Sequence, residues 1–218
     1  MEAAKVVPER LPKEIYRTLE GIVGEEWISE DRAIVEGYSK EFMPPSGLRK
    51  HGKDPSCIPS CVVLPANREE VQAIVRCLGR HKIPFTPFAT GFALTVPETQ
   101  GTVALDVRRM NRIININAEN RTATVQPYVT YAQLNAEAMK RGLWSGGIPL
   151  AGSQCKVIAN YLFQALWQSS VRFPQWGGPF QIVSIEWILP DGDIVRTGSS
   201  TIAGAEDFFW HSPGPDLM

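Results

Sequence analysis

Apolar residues recur every three or four positions in some stretches of this chain and every second position in others, and this rhythm lays out most of its elements. Leu11 to Val23 carries Ile15, Leu19, Ile22 and Val23 on one face with Pro12 near its start, which predicts an amphipathic helix ended by Gly24. Cys61 to Leu64 is a short, continuous apolar run and reads as a buried strand. Asn67 then caps a helix, and Glu70 three positions on completes a capping-box pattern. Val71, Ile74, Val75 and Leu78 form its apolar stripe, with Gly79 as the stop. Ile83 to Phe85 returns as the next strand, so a right-handed βαβ crossover is expected. Thr102 to Asp106 is another strand. Arg112–Asn117 and Thr122–Gln126 flank Ala118-Glu119-Asn120-Arg121 as a hairpin does, although the alternation in the first arm is partial. Thr130 is a second N-cap, with Gln133 as its box partner, and the helix runs through Leu134, Ala138 and Met139 to Gly142. Gln181 to Leu189 alternates loosely, Pro190-Asp191-Gly192 makes a turn, and Ile194 to Thr197 pairs back. Asp31 to Pro55 is polar and proline-containing and reads as an irregular connector.

One stretch fits neither period. Ile83 to Pro97 begins as a strand and continues through Thr86-Pro87-Phe88-Ala89-Thr90-Gly91-Phe92-Ala93-Leu94, small residues with one glycine. Pro84 and Pro87 exclude a helix interior. A small-residue loop directly after a strand exposes successive backbone N–H groups, which together make an anion-binding concavity. Gln126-Pro127-Tyr128-Val129, just before the Thr130 cap, is a second candidate, because a helix N-terminus favours phosphate oxygens.

The order of these pieces carries a resemblance. Val62-Val63-Leu64-Pro65, Glu69-Glu70-Val71, Ile83-Pro84 and the small-residue loop come first. Leu105-Asp106, Met110-Asn111 and Val125-Gln126-Pro127-Tyr128-Val129-Thr130 follow. Glu186, Leu189-Pro190-Asp191-Gly192 and Arg196-Thr197-Gly198 close the series, and Tyr38-Ser39-Lys40 with Glu41 stands as a lead-in. From about residue 31 to 216 the chain resembles the flavin domain of the FAD-linked oxidase family, the group of vanillyl-alcohol oxidase, 4-cresol dehydrogenase, the glycolate oxidase flavin subunit and D-lactate dehydrogenases. The resemblance implies an α+β fold of two small α/β subdomains, one with a parallel or mixed sheet and one with an antiparallel sheet, both flanked by helices. It also implies FAD, bound without a covalent link from this chain, with the pyrophosphate over Phe88, Ala89, Thr90, Gly91, Phe92, Ala93 and Leu94. Pro127, Tyr128 and Val129 are implied as further contacts, as are Pro149 and Leu150. Val157, Ile158, Ala159 and Asn160 match the family's "C-TIGGN" stretch after Cys155, and Ile194 completes the set.

Several glycines of the family pattern are absent. Ala89, Thr90 and Ala93 stand in the loop, Tyr128 replaces the glycine of "PGV", and Ile158-Ala159 replace a glycine pair. A glycine lets backbone approach a ligand or take φ > 0, so these positions raise a second reading, a flavin-free structural or assembly subunit derived from the same fold. By the resemblance, residues 1–56 form an N-terminal helix and lead-in, and residues 57–218 an FAD-binding domain. That domain stops short of the family's last strand and substrate-cap domain. The missing part carries most of the family's substrate and catalytic residues, so no general base is assigned here. A partner polypeptide, or a further part of a longer protein, is expected to supply it. The activity implied is transfer of a hydride from an alcohol or 2-hydroxy-acid carbon to the flavin.

Composition narrows the classes without changing this picture. Hydrophobic residues make up 44% and charged residues 21%, enough for a packed core, and the formal net charge is −1, which offers no basic surface for nucleic acid. No apolar run approaches a membrane span and the first residues have no signal-like apolar core, so a cytoplasmic protein is expected. Cys57, Cys61, Cys77 and Cys155 lack the spacing of a metal site, and His51, His81 and His211 are scattered. No metal is expected, and the thiols read as reduced and mostly buried.

Overall fold

The computed structural model describes residues 10–39, 58–89, 101–145, 153–159, 182–198 and 201. Two compact units emerge, one from residues up to Arg109 together with Pro190–Gly192, the other from Met110–Leu189 and Asp193 onward.

The first unit is a helix-covered mixed sheet. Helix α1 (Lys13–Val23) buries Ile15, Leu19 and Val23, the face its spacing predicts, and Gly24 ends it at φ 92°. A short 3-10 turn at Glu25–Trp27 leads into β1 (Ile28–Ser29). Helix α2 (Arg32–Gly37) then occupies part of the stretch expected to be an irregular connector. Its signal is Asp31, whose side chain accepts from the amides of Ala33 and Ile34 at 2.9 and 3.3 Å, and Val35 is fully buried beneath it. Strand β2 (Cys61–Val63) is wholly buried. Helix α3 (Arg68–Arg80) starts at Asn67, which accepts from the Glu70 amide at 2.9 Å, while the Glu70 carboxylate reaches back to the Ala66 amide at 2.7 Å. Its stripe of Val71, Ile74, Val75 and Leu78 is buried as predicted, and α1 packs against it.

Gly79 is not the stop of α3. The helix continues to Arg80, and Lys82 takes the left-handed conformation at φ 54°. Gly79 instead makes room, since a Cβ there would stand 3.2 Å from the Pro190 carbonyl oxygen.

Strands β3 (Phe85–Phe88) and β4 (Val103–Asp106) complete the sheet in the order β1-β2-β4-β3. Strands β2 and β3 are both parallel to β4, and β1 is antiparallel to β2. The expected crossover from β2 through α3 to β3 therefore skips a position, which β4 fills. Strand β3 also runs further than Phe85, through Thr86 and Pro87. Proline survives there because β3 is an edge strand among the described residues. The carbonyls of Pro84 and Phe88 bond to the amides of Val103 and Val107 on the β4 side, at 2.9 and 3.0 Å, so by the two-residue period Pro87 turns its nitrogen outward.

The second unit is built on two hairpins and a helix. Strands β5 (Ile113–Asn117) and β6 (Thr122–Val125) pair antiparallel, with a slip between Ile113 and Asn115 that explains the partial alternation of the first arm. Helix α4 (Tyr131–Met139) carries a full capping box between Thr130 and Gln133. It closes with Leu143 donating to Ala138 and Gly142 donating to Met139, Gly142 being left-handed at φ 67°. Strands β7 (Ser184–Ile188) and β8 (Ile194–Gly198) form the late hairpin. Val129, Tyr131, Leu134, Val157 and Ile182 make the core of this unit. The fold is thus the expected α+β arrangement, a mixed sheet in one unit and antiparallel pairs in the other.

Candidate nucleotide-binding site

In open sheets of parallel strands, ligands sit beyond the strands' carboxyl ends. In the first unit that end is heavily braced. Asp106 closes β4 with only 3% of its surface exposed. Its carboxylate accepts from the Tyr38 hydroxyl at 2.6 Å, from the Arg108 amide at 2.9 Å, and from Arg108 Nε and Nη2 at 2.8 and 2.6 Å. The Tyr38 ring stands edge-on to Phe88, centroids 5.0 Å apart, and Arg108 Nη2 also donates to the Tyr38 hydroxyl at 2.7 Å. Beside them Arg109 lies 4.0 Å over the Trp27 ring and donates to the Leu64 carbonyl at 2.7 Å, tying down the end of β2.

These contacts decide what Phe88 does. Expected as the first loop residue, it is the last residue of β3, paired with Asp106 and packed on the buried cluster of Val35, Ile58, Val62 and Ala104. It anchors the loop's start, and Ala89 follows half-buried. The Tyr38–Phe88–Asp106–Arg108 constellation is invisible as a unit in the sequence, where Tyr38 and Leu105-Asp106 are separate motif fragments 68 residues apart. Thr90, Gly91, Phe92, Ala93 and Leu94 lie outside the described residues, as do Pro149, Leu150 and Asn160.

In the second unit the structure brings two predicted segments together. Residues 153–157 run alongside 129–132. Thr130 and Lys156 form an antiparallel bridge, Tyr131 donates to Cys155 O at 3.1 Å, Ala132 to Ser153 O at 2.8 Å, and Val157 to Val129 O at 2.9 Å. Val129 and Val157 put their side chains into the core, at 0% and 4% exposure. Pro127, Tyr128, Ile158 and Ala159 are half-buried, and so is Ile194, which pairs with Ile188 at the start of β8.

The missing glycine at Tyr128 causes no backbone strain. Among the described residues only Lys82 and Arg121 take a positive φ without being glycine. The Tyr128 ring is also engaged, with Lys156 Nζ 3.9 Å from its centroid.

The helix N-terminus, however, is already used. Gln126 donates to Arg112 O, Tyr128 to Met110 O and Val129 to Gln126 O, at 3.0, 2.9 and 3.2 Å. Thr130 donates to Gln133 Oε1 and Gln133 to Thr130 Oγ1, at 2.9 and 3.1 Å. Leu134 donates to Thr130 O at 3.0 Å, and Tyr131 and Ala132 are bonded to the 153–157 segment. Pro127 has no N–H. Every N–H from Gln126 to Leu134 thus has a partner within the chain. The positive side chain beside these segments, Lys156, suits an anionic dinucleotide.

A protein-family model described as "FAD binding domain" matches residues 59–198. The chain belongs to this family. Among curated proteins, the FAD-binding domain is 28% identical to the 4-cresol dehydrogenase [hydroxylating] flavoprotein subunit of Pseudomonas putida, over 87% of this chain and 37% of that protein. It is 28% identical to a probable mitochondrial D-lactate dehydrogenase of Danio rerio, over 84% of this chain and 35% of that protein. Against the glycolate oxidase subunit GlcD of Bacillus subtilis the identity is 30%, over 65% of this chain and 30% of that subunit. Among solved structures, p-cresol methylhydroxylase with substrate bound superposes with a TM-score of 0.72 at 25% identity, covering 97% of this chain and 41% of the other. The chain therefore spans about a third of the length of the curated relatives it matches. Among the described residues no helix is long and apolar enough to cross a membrane.

Proposed function

We propose that this FAD-binding domain is the flavin-holding portion of an oxidoreductase that takes a hydride from an alcohol or 2-hydroxy-acid carbon. Further polypeptide, from a partner chain or from more of the same protein, supplies the substrate cap and the catalytic residues. The observation that carries the reading is the family match over residues 59–198, joined by relatives named as dehydrogenases of cresol and lactate. When bound, the flavin supplies the two-electron acceptor, and this chain supplies position and electrostatic surroundings. Phe88 and the Asp106 cluster fix where the 89–94 loop leaves β3, and the proposed contacts continue through 127–129, 149–150, 157–160 and Ile194. A cytoplasmic setting, where thiols stay reduced, belongs to the same reading; Cys61, Cys77 and Cys155 are free.

The committed amides of residues 126–134 favour one rival, a scaffold that has lost its flavin. Purifying the chain with whatever accompanies it, denaturing it and identifying the released cofactor by mass spectrometry separates the two. FAD is expected in the wild type. Gly91→Trp is expected to lose FAD while keeping wild-type circular dichroism. A colourless preparation that takes up no added FAD would overturn the oxidoreductase reading in favour of the scaffold.

A further inference from the structure

The amides of residues 126–134 are all engaged within the chain, and a side-chain cation stands beside them. Lys156 stands on the strand-like segment that bridges Thr130, directly before the helical residues Val157–Ala159, and its ammonium lies against the face of Tyr128. Among the described residues no carboxylate pairs with it. An aromatic face attracts a cation through its quadrupole but carries no net charge, so the ring positions the ammonium without neutralising it. Burial disfavours the charged form and holds the Lys156 pKa below the usual lysine value, with the neighbouring Cys155 acting weakly the other way. A half-buried cation with no carboxylate partner among the described residues gains from an anionic ligand, because the anion replaces the water it has lost.

We propose that Lys156 binds the phosphate bridge of the dinucleotide through its side chain. The Tyr128 ring is its positioning partner. Two departures from the family pattern then become one device: a bulky residue in place of glycine holds a lysine where the relatives' "C-TIGGN" pattern has a threonine. The inference rests on the flavin reading above, and it adds a residue which that reading did not contain.

The test uses the full chain stripped of flavin and titrated with FAD by fluorescence. Lys156→Met keeps the apolar stem and removes the charge, and is expected to weaken FAD binding by about tenfold or more, the usual loss for a charge-assisted hydrogen bond. Lys156→Arg is expected to stay within about threefold of wild type, since it keeps the charge. A second measurement needs no variant. Brief acetylation with acetic anhydride, read by mass spectrometry, should show Lys156 shielded by FAD and by ADP but not by riboflavin, which has no phosphate. Wild-type affinity in Lys156→Met, or equal shielding by riboflavin, overturns the assignment of Lys156 while leaving FAD binding intact. A wild-type protein that binds no FAD overturns both readings together.

Discussion

Cys61 shows what burial does to one titratable side chain. It has no exposed surface, and desolvation, assisted by the Glu30 carboxylate, pushes its thiol up to about 12. In the unfolded chain the thiol ionises near its ordinary 9.0. Between these two values the unfolded state binds fewer protons than the folded one, so stability falls as pH rises. The contribution is complete below about pH 9 and is lost toward pH 12, at most at about 1.4 kcal/mol per unit. Urea unfolding at pH 8 and pH 10.5 should therefore show a steeper loss in wild type than in Cys61→Val. Parallel losses in the two would mean that the thiol does not govern this window. At the same scale, the candidate site was only partly legible in the sequence. The motif order singled out residues 127–129 and 157–159, and the Thr130–Gln133 capping box was legible, but nothing local shows that the amides of Gln126, Tyr128, Tyr131 and Ala132 are taken. Those partners come from Met110, Arg112, Ser153 and Cys155, through pairings no sequence window contains. Lys156 escaped for the same reason, because its meaning depends on Tyr128 lying beneath it.

At the scale of elements, local chemistry carried most of the reading. Caps at Asn67 and Thr130, both late hairpins and the apolar faces of α1 and α3 follow from spacing alone. Where the reading differed, a long-range contact intervened: β4 inserts between β2 and β3, and Gly79 serves the distant 190–192 turn instead of ending α3. The β7–β8 hairpin depends on two left-handed glycines with unequal tolerance. At Gly198, φ is 75° and a Cβ would land on the Val183 carbonyl oxygen, a main-chain atom that cannot step aside. At Gly192, φ is 83° but the obstacle is the flexible side chain of Arg76. Gly198→Ala should then cost about 2 kcal/mol or more, the left-handed penalty plus the displaced strand, and Gly192→Ala about 1–2 kcal/mol from the backbone alone. Urea midpoints compare them directly, and an equal or smaller loss at Gly198 would contradict this ranking.

For the whole molecule, cofactor and stability are linked by mass action. A ligand that binds only the folded chain and is present at a hundredfold its Kd adds about 2.7 kcal/mol. In a chain of this size that corresponds to a rise of about 5–10 °C in Tm. Thermal unfolding of flavin-free protein should show the shift with FAD, and an unchanged Tm at saturating FAD would argue that the fold has kept its shape without its cofactor. This measurement reads cofactor binding by this chain, which spans about a third of the length of its curated relatives, and does not depend on turnover.

The proline in β3 has a consequence beyond its own strand. An open border of a sheet is a template on which another chain can lay itself, one rung of donors and acceptors at a time. Pro87 turns a donorless nitrogen to that border, so an incoming strand would find a missing rung there. Among the described residues, the proline that the edge of this sheet tolerates thereby also makes that border a poor seed for polymerisation.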